Sequence, residues 1–360
     1  MLEIDGSLLE GGGQILRISI ALSALLRKPI RIKKIRGNRP KPGLRPQHMC
    51  GLELVHQFTG GSLEGNVINS TQVTFTPGDI TTNYQTHFSA EIPTNGATTL
   101  LAQIALPVAL YRKVPTTLDL KGGTHTHWAP PFDYYASIFL PTLQSYFGIK
   151  VDCQLLQVCF NNPQGGGHLK MEIQPLKAAI EPGVMIERTE IETVSIYAKT
   201  AGKVPLKVAR LMASSASLVL RNSLETVIQE DTQHYNNACG NGSFLFVKAK
   251  CKNGHFLGAS ALEEPKKNSG RKPIGGGNPE ELGRKTAEKF LAIQAPIDEF
   301  LQDQLLIFMA LAKGQSAIKV GPNELTLHTQ TAIHIIQLLT SAKFTVDEDI
   351  IKCEGIGFWQ

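Results

Sequence analysis

The chain has 360 residues, of which 42% are hydrophobic and 19% are charged, and its formal net charge is +5. This length predicts two structural units rather than one, and the lack of an apolar run of roughly 18 residues argues against a membrane span. The first residues, MLEIDGSLLEGGGQ, do not have the layout of a secretory signal. Six cysteines without a Cys-x-x-Cys pair argue against a zinc site and a disulfide framework. We therefore expect a cytoplasmic protein, or a nuclear one if the source is eukaryotic.

A unit of one helix and two strands recurs along the chain. Its copies begin near Pro46, Pro131 and Thr329, and each has apolar residues at helical spacing before two short strands. The predicted strands are SLEGNVI, TQVTFTP, IKVDCQL, HLKMEIQ, AKFTVDE and IIKCEG, and IRIKKI and TTLDLKG precede the first two copies. Further helices are predicted over Gln14–Leu26, Thr98–Tyr111 and Asp298–Ala312. This alternation predicts an α/β (α+β) fold with internal repeats.

The stretch from about Val184 to Gly277 interrupts this pattern. It has its own predicted strands (TVSIYAK, SFLFVKAK and HFLGASAL) and its own helix, Leu206–Asn222. It ends in EEPKKNSGRKPIGGGNPEE, whose glycines and lysines are typical of a loop or linker. We therefore predict a repeat domain of residues 1–183 and 278–360, with a small α/β domain inserted at 184–277.

Two common phosphate-binding motifs are absent from the sequence. It contains neither a G-x-x-x-x-G-K-[ST] loop nor a G-x-G-x-x-G turn after a strand. The string Glu3-Ile4-Asp5-Gly6 resembles the Lys-x-Asp-Gly of nucleotidyl-transferring ligases. However, Glu3 stands where the lysine nucleophile would be, and a carboxylate cannot form that phosphoramide. If ATP is used, another nucleophile must accept the nucleotide.

Two segments with arginines lie at the starts of predicted helices. EGGGQILR, Glu10–Arg17, is either an anion site at a helix start or a tight turn between strand and helix. In IRGNRPKPGLRPQH, Ile35–His48, prolines stiffen a stretch that is rich in arginine, and arginine forks match phosphate oxygens. Gln47 and His48 follow in the first turn of a helix. A solvated surface loop is the alternative, but the second segment favours phosphate binding and suits the positive net charge.

The segment GGTHTHWAPP, Gly122–Pro131, also precedes a helix. His125 and His127 are two residues apart in a loop, which is weak support for a metal site. Trp128 and Pro130 are alternatively an apolar wall for a flat base.

His328 is predicted to lie just before a helix, in LTLHTQTAIHII. The positive end of a helix disfavours the imidazolium and so favours a neutral, nucleophilic ring. A structural histidine is the more common occupant of such a position, so the sequence pattern alone does not decide between these roles.

The segments EGGGQILR, RPKPGLRPQH, FLQDQLLIFMALAKG and TLHTQTAIH, in this order and spacing, resemble the RNA 3′-terminal phosphate cyclase family. The resemblance extends over essentially the whole chain. It implies repeated βαβαββ units similar to the C-terminal domain of a translation initiation factor, and a smaller inserted thioredoxin-like α/β domain. It also implies ATP as a substrate, magnesium or another divalent cation as a cofactor, and an RNA with a 3′-phosphate end as the partner. The sequence leaves open whether the chain forms a homodimer.

The resemblance also implies a reaction and a role for each matching residue. His328 would accept AMP from ATP, the AMP would pass to the RNA 3′-phosphate, and the neighbouring 2′-hydroxyl would then close a 2′,3′-cyclic phosphate. The other implied roles are metal or phosphate binding by Glu10 and Arg17, with Glu10 as the metal ligand, RNA phosphate binding by Arg36, Arg39, Gln47 and His48, and nucleotide binding by Gln103, Pro130, Phe300, Asp303 and Gln304.

One position departs from the family pattern. Members usually have Tyr-Leu-x-Asp-Gln, and Phe300 stands in place of the tyrosine. A phenyl ring can still stack on adenine, but a hydroxyl hydrogen bond, worth roughly 0.5–1.5 kcal/mol, is lost. Two alternatives remain. A non-catalytic branch of the family acts in ribosomal RNA maturation, but it lacks the histidine. An RNA-binding module that uses the Arg36–Arg45 loop would bind RNA without ATP and with strong salt dependence.

Overall fold

The structure, a computed structural model, describes residues 1–263, 278–322 and 325–359 and has a mixed α/β architecture. Residues 264–277 of the predicted glycine- and lysine-rich segment lie outside the described residues. Within the part of the chain that is described, no helix is long and apolar enough to cross a lipid bilayer.

The first sheet is built from residues 2–77. Its elements are β1 (Leu2–Asp5), α1 (Gly13–Leu26), β2 (Ile30–Lys33), α2 (Pro46–Thr59), β3 (Gly61–Glu64) and β4 (Val73–Pro77). The strand order is β1-β2-β4-β3. β1 and β2 are parallel, and β4 runs antiparallel to both of its neighbours. The sequence of elements is therefore strand, helix, strand, helix, strand, strand.

The second sheet repeats this arrangement. Its elements are β5 (His87–Glu91), α3 (Thr98–Leu110), β6 (Thr116–Gly122), α4 (Phe132–Tyr134), a π-helical stretch (Tyr135–Phe139), α5 (Leu140–Phe147), β7 (Val151–Gln157), β8 (Cys159–Phe160) and β9 (Gly167–Ile173). The order is β5-β6-β9-β7, with β5 and β6 parallel. The short β8 lies outside this sheet.

The third sheet is interrupted by the inserted unit. After β10 (Val184–Met185) come β11 (Ile191–Ala201), α6 (Leu206–Ser223), β12 (Val227–Tyr235), β13 (Cys239–Gly240), β14 (Gly242–Cys251), β15 (Phe256–Leu262) and α7 (Pro279–Leu291). The repeat then continues with α8 (Glu299–Leu311), β16 (Lys313–Lys319), α9 (Leu327–Leu339), β17 (Lys343–Asp347) and β18 (Ile350–Ile356). The order β10-β16-β18-β17, with β10 and β16 parallel, matches the other two sheets. The predicted helices and strands are present, with small shifts at their ends.

The inserted unit has its own sheet, β12-β11-β14-β15, and its own hydrophobic core. Ala287 and Phe290 of α7 are buried in this second core, although α7 had been assigned by sequence to the repeat domain. Met185, in turn, belongs to the main core. The domain boundaries stay a prediction, and this packing favours moving them from 184–277 to about 186–291. The edge strand β12, VIQEDTQHY, had not been predicted because its residues are mostly polar.

The helices of all three repeats pack into one core and bring their ends together. Pro46 begins α2. At the start of α8 the Asp298 carboxylate accepts from the Phe300 and Leu301 N–H groups. At the start of α9 the Thr326 hydroxyl accepts from the Thr329 N–H. The residues predicted to be functional lie on α1, α2, α3, α8 and α9, on the loops that precede α1 and α2, and, for Pro130, on the segment before α4. The fold therefore gathers them at one region.

Candidate active site

A cavity of about 150 Å³ lies between the helices of the three repeats. It is lined by Arg17, Leu100, Gln103, Trp128, Pro130, Glu299, Phe300, Asp303, Gln304, Thr326 and His328. All of the predicted nucleotide-binding residues are in this set, together with Arg17 and His328. A larger cavity of about 300 Å³ shares only Glu299 and Phe300 with it and contains none of the other predicted residues. The smaller cavity is therefore the candidate active site.

Gln14 joins His328 to Asp303. Its Nε2 donates to Asp303 Oδ2 at 2.7 Å, and its Oε1 lies 2.7 Å from His328 Nδ1. An amide oxygen only accepts, so His328 Nδ1 carries the proton and donates. The other ring nitrogen, Nε2, is then the unprotonated one, and it has no hydrogen-bond partner among the described residues. The imidazole is held in the tautomer that a nucleophile requires.

The burial of His328 also favours the neutral ring. Burial lowers the pKa of His328 below its ordinary value of 6.5, Arg17 and Arg39 lower it further, and Asp303 opposes them. Burial raises the pKa of the Asp303 carboxyl to about 6. His328 was predicted to lie just before the helix. In the structure α9 begins at Leu327, so His328 lies in its first turn. The helix end acts in the same direction.

Arg17 of α1 lines the cavity and is bonded to α3. Its Nε donates to Gln103 Oε1 at 2.6 Å. Burial lowers the pKa of Arg17 to about 10, which still leaves it charged at neutral pH, and the Asp303 carboxylate favours that charge. The residue thus presents a fixed positive charge beside His328, where a phosphate would lie.

Glu10 lies against the loop Arg36–Arg45, the arginine loop. Its Oε1 pairs with the Arg39 guanidinium, and Arg39 also donates to the Glu10 carbonyl at 3.2 Å. Its other oxygen, Oε2, is buried and has no partner among the residues described. No group of three or more potential metal ligands occurs in residues 1–263, 278–322 and 325–359. A magnesium ion fits this arrangement in the usual way for nucleotide enzymes, with one carboxylate oxygen from the protein and the rest from phosphates and water.

The predicted RNA-binding residues are neighbours, but two of them also hold the fold together. Arg36 has φ +52° and donates to the carbonyls of Lys41 and Gly43, so it closes its own loop. Gln47 accepts from the Ala97 N–H at 2.8 Å and so positions the start of α3. In contrast, the Arg39 side chain is 41% exposed, and among the described residues its guanidinium is bonded to Glu10 alone. Arg39 is the residue of this group best suited to bind a ligand.

His48 lies between the arginine loop and the start of α1. Its Nδ1 accepts from the Arg45 N–H at 3.1 Å, so the proton is on Nε2. A Cβ added at Gly13 would lie 2.6 Å from that Nε2. Glycine is therefore required at position 13 for the imidazole to approach the helix end.

The environment of His48 predicts a dependence of stability on pH. Burial, and then Arg17, Arg36 and Arg45, lower the pKa of His48 to about 3 from its ordinary value of 6.5. Between these pH values the unfolded chain binds one more proton than the folded chain, so the free energy of unfolding decreases as the pH falls. From pH 6.5 to 5, His48 accounts for a decrease of at most about 2 kcal/mol.

We expect a smaller decrease for His48→Gln, because a glutamine can still accept from the Arg45 N–H but does not titrate. Urea unfolding of both proteins at pH 6.5 and 5 measures the difference. Equal decreases would show that His48 is not held neutral in the folded state.

His125 does not have the surroundings of a metal ligand. Its Nε2 lies 2.8 Å from Asp133 Oδ2, its Nδ1 lies 3.0 Å from the Thr124 hydroxyl, and its ring stacks on Phe160. Both ring nitrogens are thus used within the protein. His127 Nε2 is buried without a hydrogen-bond partner in the described part of the chain. Phe300, at the position of the usual tyrosine, meets the Tyr134 ring edge to face at 5.2 Å.

Four lining or bridging residues had not been given a role from sequence: Gln14, Leu100, Glu299 and Thr326. Gln14 belongs to the EGGGQILR segment, so the motif contained the signal. Its role depends on Asp303 and His328, which follow it by 289 and 314 positions. The spacing of residues in a sequence does not reveal contacts over such distances.

The fold and the site are those of a mixed α/β protein with a histidine and a buried carboxyl group in one cavity, and comparison with known proteins identifies the family. The family model for RNA 3′-terminal phosphate cyclase matches residues 8–346. The RNA 3′-terminal phosphate cyclase of Drosophila melanogaster is 36% identical over 99% of this chain and 97% of its own length. The proteins of that name from Pyrobaculum neutrophilum and Desulfurococcus amylolyticus are 35% and 33% identical, each over 99% of both chains.

The chain therefore belongs to the RNA 3′-terminal phosphate cyclase family. By that membership it is an enzyme of the ligase class.

Proposed function

We propose that this enzyme uses ATP to convert an RNA 3′-phosphate into a 2′,3′-cyclic phosphate through a covalent AMP on His328. The observation that carries the proposal is the cavity in which His328, with its Nε2 unprotonated, faces the same space as Arg17, Gln103 and Phe300. We further propose that the three like sheets are βαβαββ repeats similar to the C-terminal domain of a translation initiation factor. The inserted unit is proposed to be thioredoxin-like, and the cytoplasm is the proposed compartment.

In the first step, the Nε2 lone pair of His328 attacks the α-phosphorus of ATP. A nitrogen–phosphorus bond forms, the bond to the β-phosphate oxygen breaks, and pyrophosphate leaves with that electron pair. The ring then carries a positive charge. Gln14 Oε1 accepts a hydrogen bond from Nδ1–H, and Gln14 Nε2 donates to Asp303, whose negative charge stabilises the cationic ring. Arg17 balances the charge on the phosphate oxygens.

In the second step, an oxygen of the RNA 3′-phosphate attacks the same phosphorus, and the imidazole leaves. A cationic imidazole is a good leaving group, so the AMP stays activated while it is attached to His328. In the third step, the RNA 2′-hydroxyl gives up its proton to solvent, and its oxygen attacks the activated 3′-phosphorus. AMP leaves, and the cyclic phosphate remains.

A divalent cation fits at Glu10 Oε2, the buried oxygen without a partner among the described residues. When bound, it would neutralise phosphate charge during the transfers. Arg39, on the other oxygen of Glu10, is near enough to His328 to affect its pKa. This arrangement suits an RNA end that must reach the nucleotide from the side of the arginine loop.

The test is to incubate the protein with magnesium and ATP labelled at the α-phosphate, and then to denature it. We expect the label to stay on the protein in an acid-labile, alkali-stable bond, as a phosphoramide should behave. Unlabelled RNA with a 3′-phosphate end should then release the label as AMP. A wild-type protein that takes up no label would contradict the proposed mechanism.

Arg39→Ala should separate the first step from the later ones. Loss of a charged hydrogen bond to the RNA phosphate should slow ring closure by about 10- to 100-fold. AMP uptake should change far less, since the variant leaves the Gln14–His328 bond intact. The measurement compares label uptake with the yield of cyclic phosphate.

Arg45→Ala is the matched control for this variant. Arg45 belongs to the same loop, but its guanidinium is bonded to Asn69 and to the Pro42 carbonyl. We expect near-normal ring closure from it. If Arg39→Ala closes RNA ends as fast as wild type, Arg39 does not bind the RNA phosphate.

A further inference from the structure

A buried charged network links the inserted unit to the wall of the candidate active site. Asp133, at the start of the helix after the GGTHTHWAPP segment, is bonded through Oδ2 to His125 Nε2 at 2.8 Å. Its other oxygen, Oδ1, is bonded to Lys199 Nζ. Lys199 lies on β11 of the inserted unit, and its side chain is 11% exposed. All three side chains are therefore shielded from water.

The partners of this network are specific. An ionised Asp133 only accepts, so His125 Nε2 donates to it, and Nδ1 is left to accept from the Thr124 hydroxyl at 3.0 Å. The His125 ring is also held between aromatic rings from both units. It stacks on Phe160 with centroids 4.4 Å apart and meets Phe244 of β14 at 4.7 Å. The ring orientation is thus set by residues of both units.

This network fixes one end of a segment that lines the cavity. Within residues 124–131, Trp128 and Pro130 are lining residues. The segment is tied down by backbone bonds from His125 N–H to the Cys159 carbonyl and from Phe132 N–H to the Thr124 carbonyl, both 3.1 Å long. Trp128 itself has φ +68° and is 99% exposed, so its own side chain does little to hold this backbone conformation.

We propose that Lys199 of the inserted unit is a positioning residue for the nucleotide pocket and acts through Asp133 and His125 on the Trp128–Pro130 wall. Removing the ammonium group would leave the Asp133 carboxylate buried without its cation. Asp133 and His125 would then move toward water, and the wall would lose its fixed shape. Pre-organisation of a binding wall is expressed mainly in ligand affinity. This inference rests on the proposed function only in taking ATP as the ligand.

The experiment compares wild type with Lys199→Met, which keeps the length of the apolar stem. Hydrogen exchange, measured by mass spectrometry without any nucleotide, reports on the backbone of residues 122–134. Single-turnover AMP uptake at a series of ATP concentrations gives the half-saturating concentration and the maximal rate separately. We expect exchange in this segment to be at least about tenfold faster. We expect half-saturation at about tenfold higher ATP, with a maximal rate within about twofold of wild type.

Lys248→Met is the matched control. Lys248 also lies in the sheet of the inserted unit and is partly buried, but its Nζ is 4.3 Å from the centre of the Phe256 ring. Its loss removes a lysine from the inserted unit without touching the Asp133 network. Exchange in residues 122–134 and ATP dependence should both match wild type. Equal effects of the two substitutions would contradict the proposal, because general loosening of the inserted unit would then explain both.

Asp133→Asn provides a second variant if Lys199→Met does not fold. An asparagine keeps the shape but has no charge, and its one amide oxygen can accept from Lys199 or from His125 but not from both, so we expect a change in the same direction. Unchanged exchange and unchanged ATP dependence in a folded Lys199→Met or Asp133→Asn protein would overturn the proposal. If wild type takes up no AMP, the proposed function fails, whereas the exchange comparison still decides whether Lys199 holds the segment.

Discussion

Replacement of His328 by alanine is expected to abolish AMP uptake, with a loss of at least about 1,000-fold relative to wild type. Among the described residues that line the cavity, His328 is the imidazole, and its Nε2 is unprotonated because Nδ1 donates to Gln14. Without it, the α-phosphate has no nitrogen to attack it. Retention of α-labelled AMP after denaturation measures the effect, and ring closure of RNA 3′-phosphate should be lost to the same extent.

A second histidine on the same helix is the control. His334 lies further along α9 with an exposed side chain, and it does not line the cavity. His334→Ala should take up AMP at the wild-type rate. Labelling of His328→Ala at a normal level would remove His328 as the nucleophile and with it the proposed mechanism.

Gln14→Leu is expected to slow AMP uptake by about 100-fold or more, although Gln14 does not contact the phosphorus. The amide oxygen of Gln14 is what keeps the proton of His328 on Nδ1, and a leucine of similar size cannot accept it. The ring would then spend much of its time in the wrong tautomer or orientation. A wrong tautomer in a catalytic triad has a rate effect of about 10⁴, which sets the scale for this loss.

Gln14→Glu tests this explanation further. A glutamate can accept from His328 Nδ1, but it brings a second carboxylate next to Asp303, whose pKa is already raised to about 6 by burial. We expect an intermediate rate that depends on pH, because the two carboxylates share a site most easily when one is protonated. Single-turnover labelling between pH 5.5 and 8.5 gives both the rate and its profile. A Gln14→Leu protein as active as wild type would show that the tautomer of His328 is fixed in another way.

The order of helices and strands was largely predictable from sequence, and the partners of individual side chains were not. Apolar spacing predicted the helices that start at Pro46 and Thr98 because their buried faces are continuous. It did not predict β12, whose side chains face solvent at the sheet edge. It also did not predict that Phe290 of α7 packs into the inserted unit, since an apolar helix face does not specify which core it joins.

The same distinction holds for the site. His328, Asp303 and Gln103 could be proposed from motifs, and they do line one cavity. The bonds that give them their chemical states involve residues far away in the chain, such as Gln14 for His328. Arg36 was predicted to bind RNA phosphate, and its side chain bonds to carbonyls of its own loop. A motif gives the residue type, but only the folded backbone shows which atoms remain for a ligand.

The bridge between Gln14 and His328 has a consequence for how the protein is made. The two residues are 314 positions apart, and Gln14 and Asp303 are 289 positions apart. Contacts of such long sequence separation form late, after local structure has developed. During synthesis the first two repeats emerge well before α8 and α9, so a chain still on the ribosome has Gln14 and Arg17 but not yet His328, the proposed nucleophile. In the proposed mechanism, capture of AMP on His328 therefore requires that the last repeat has been synthesised and has packed against the first.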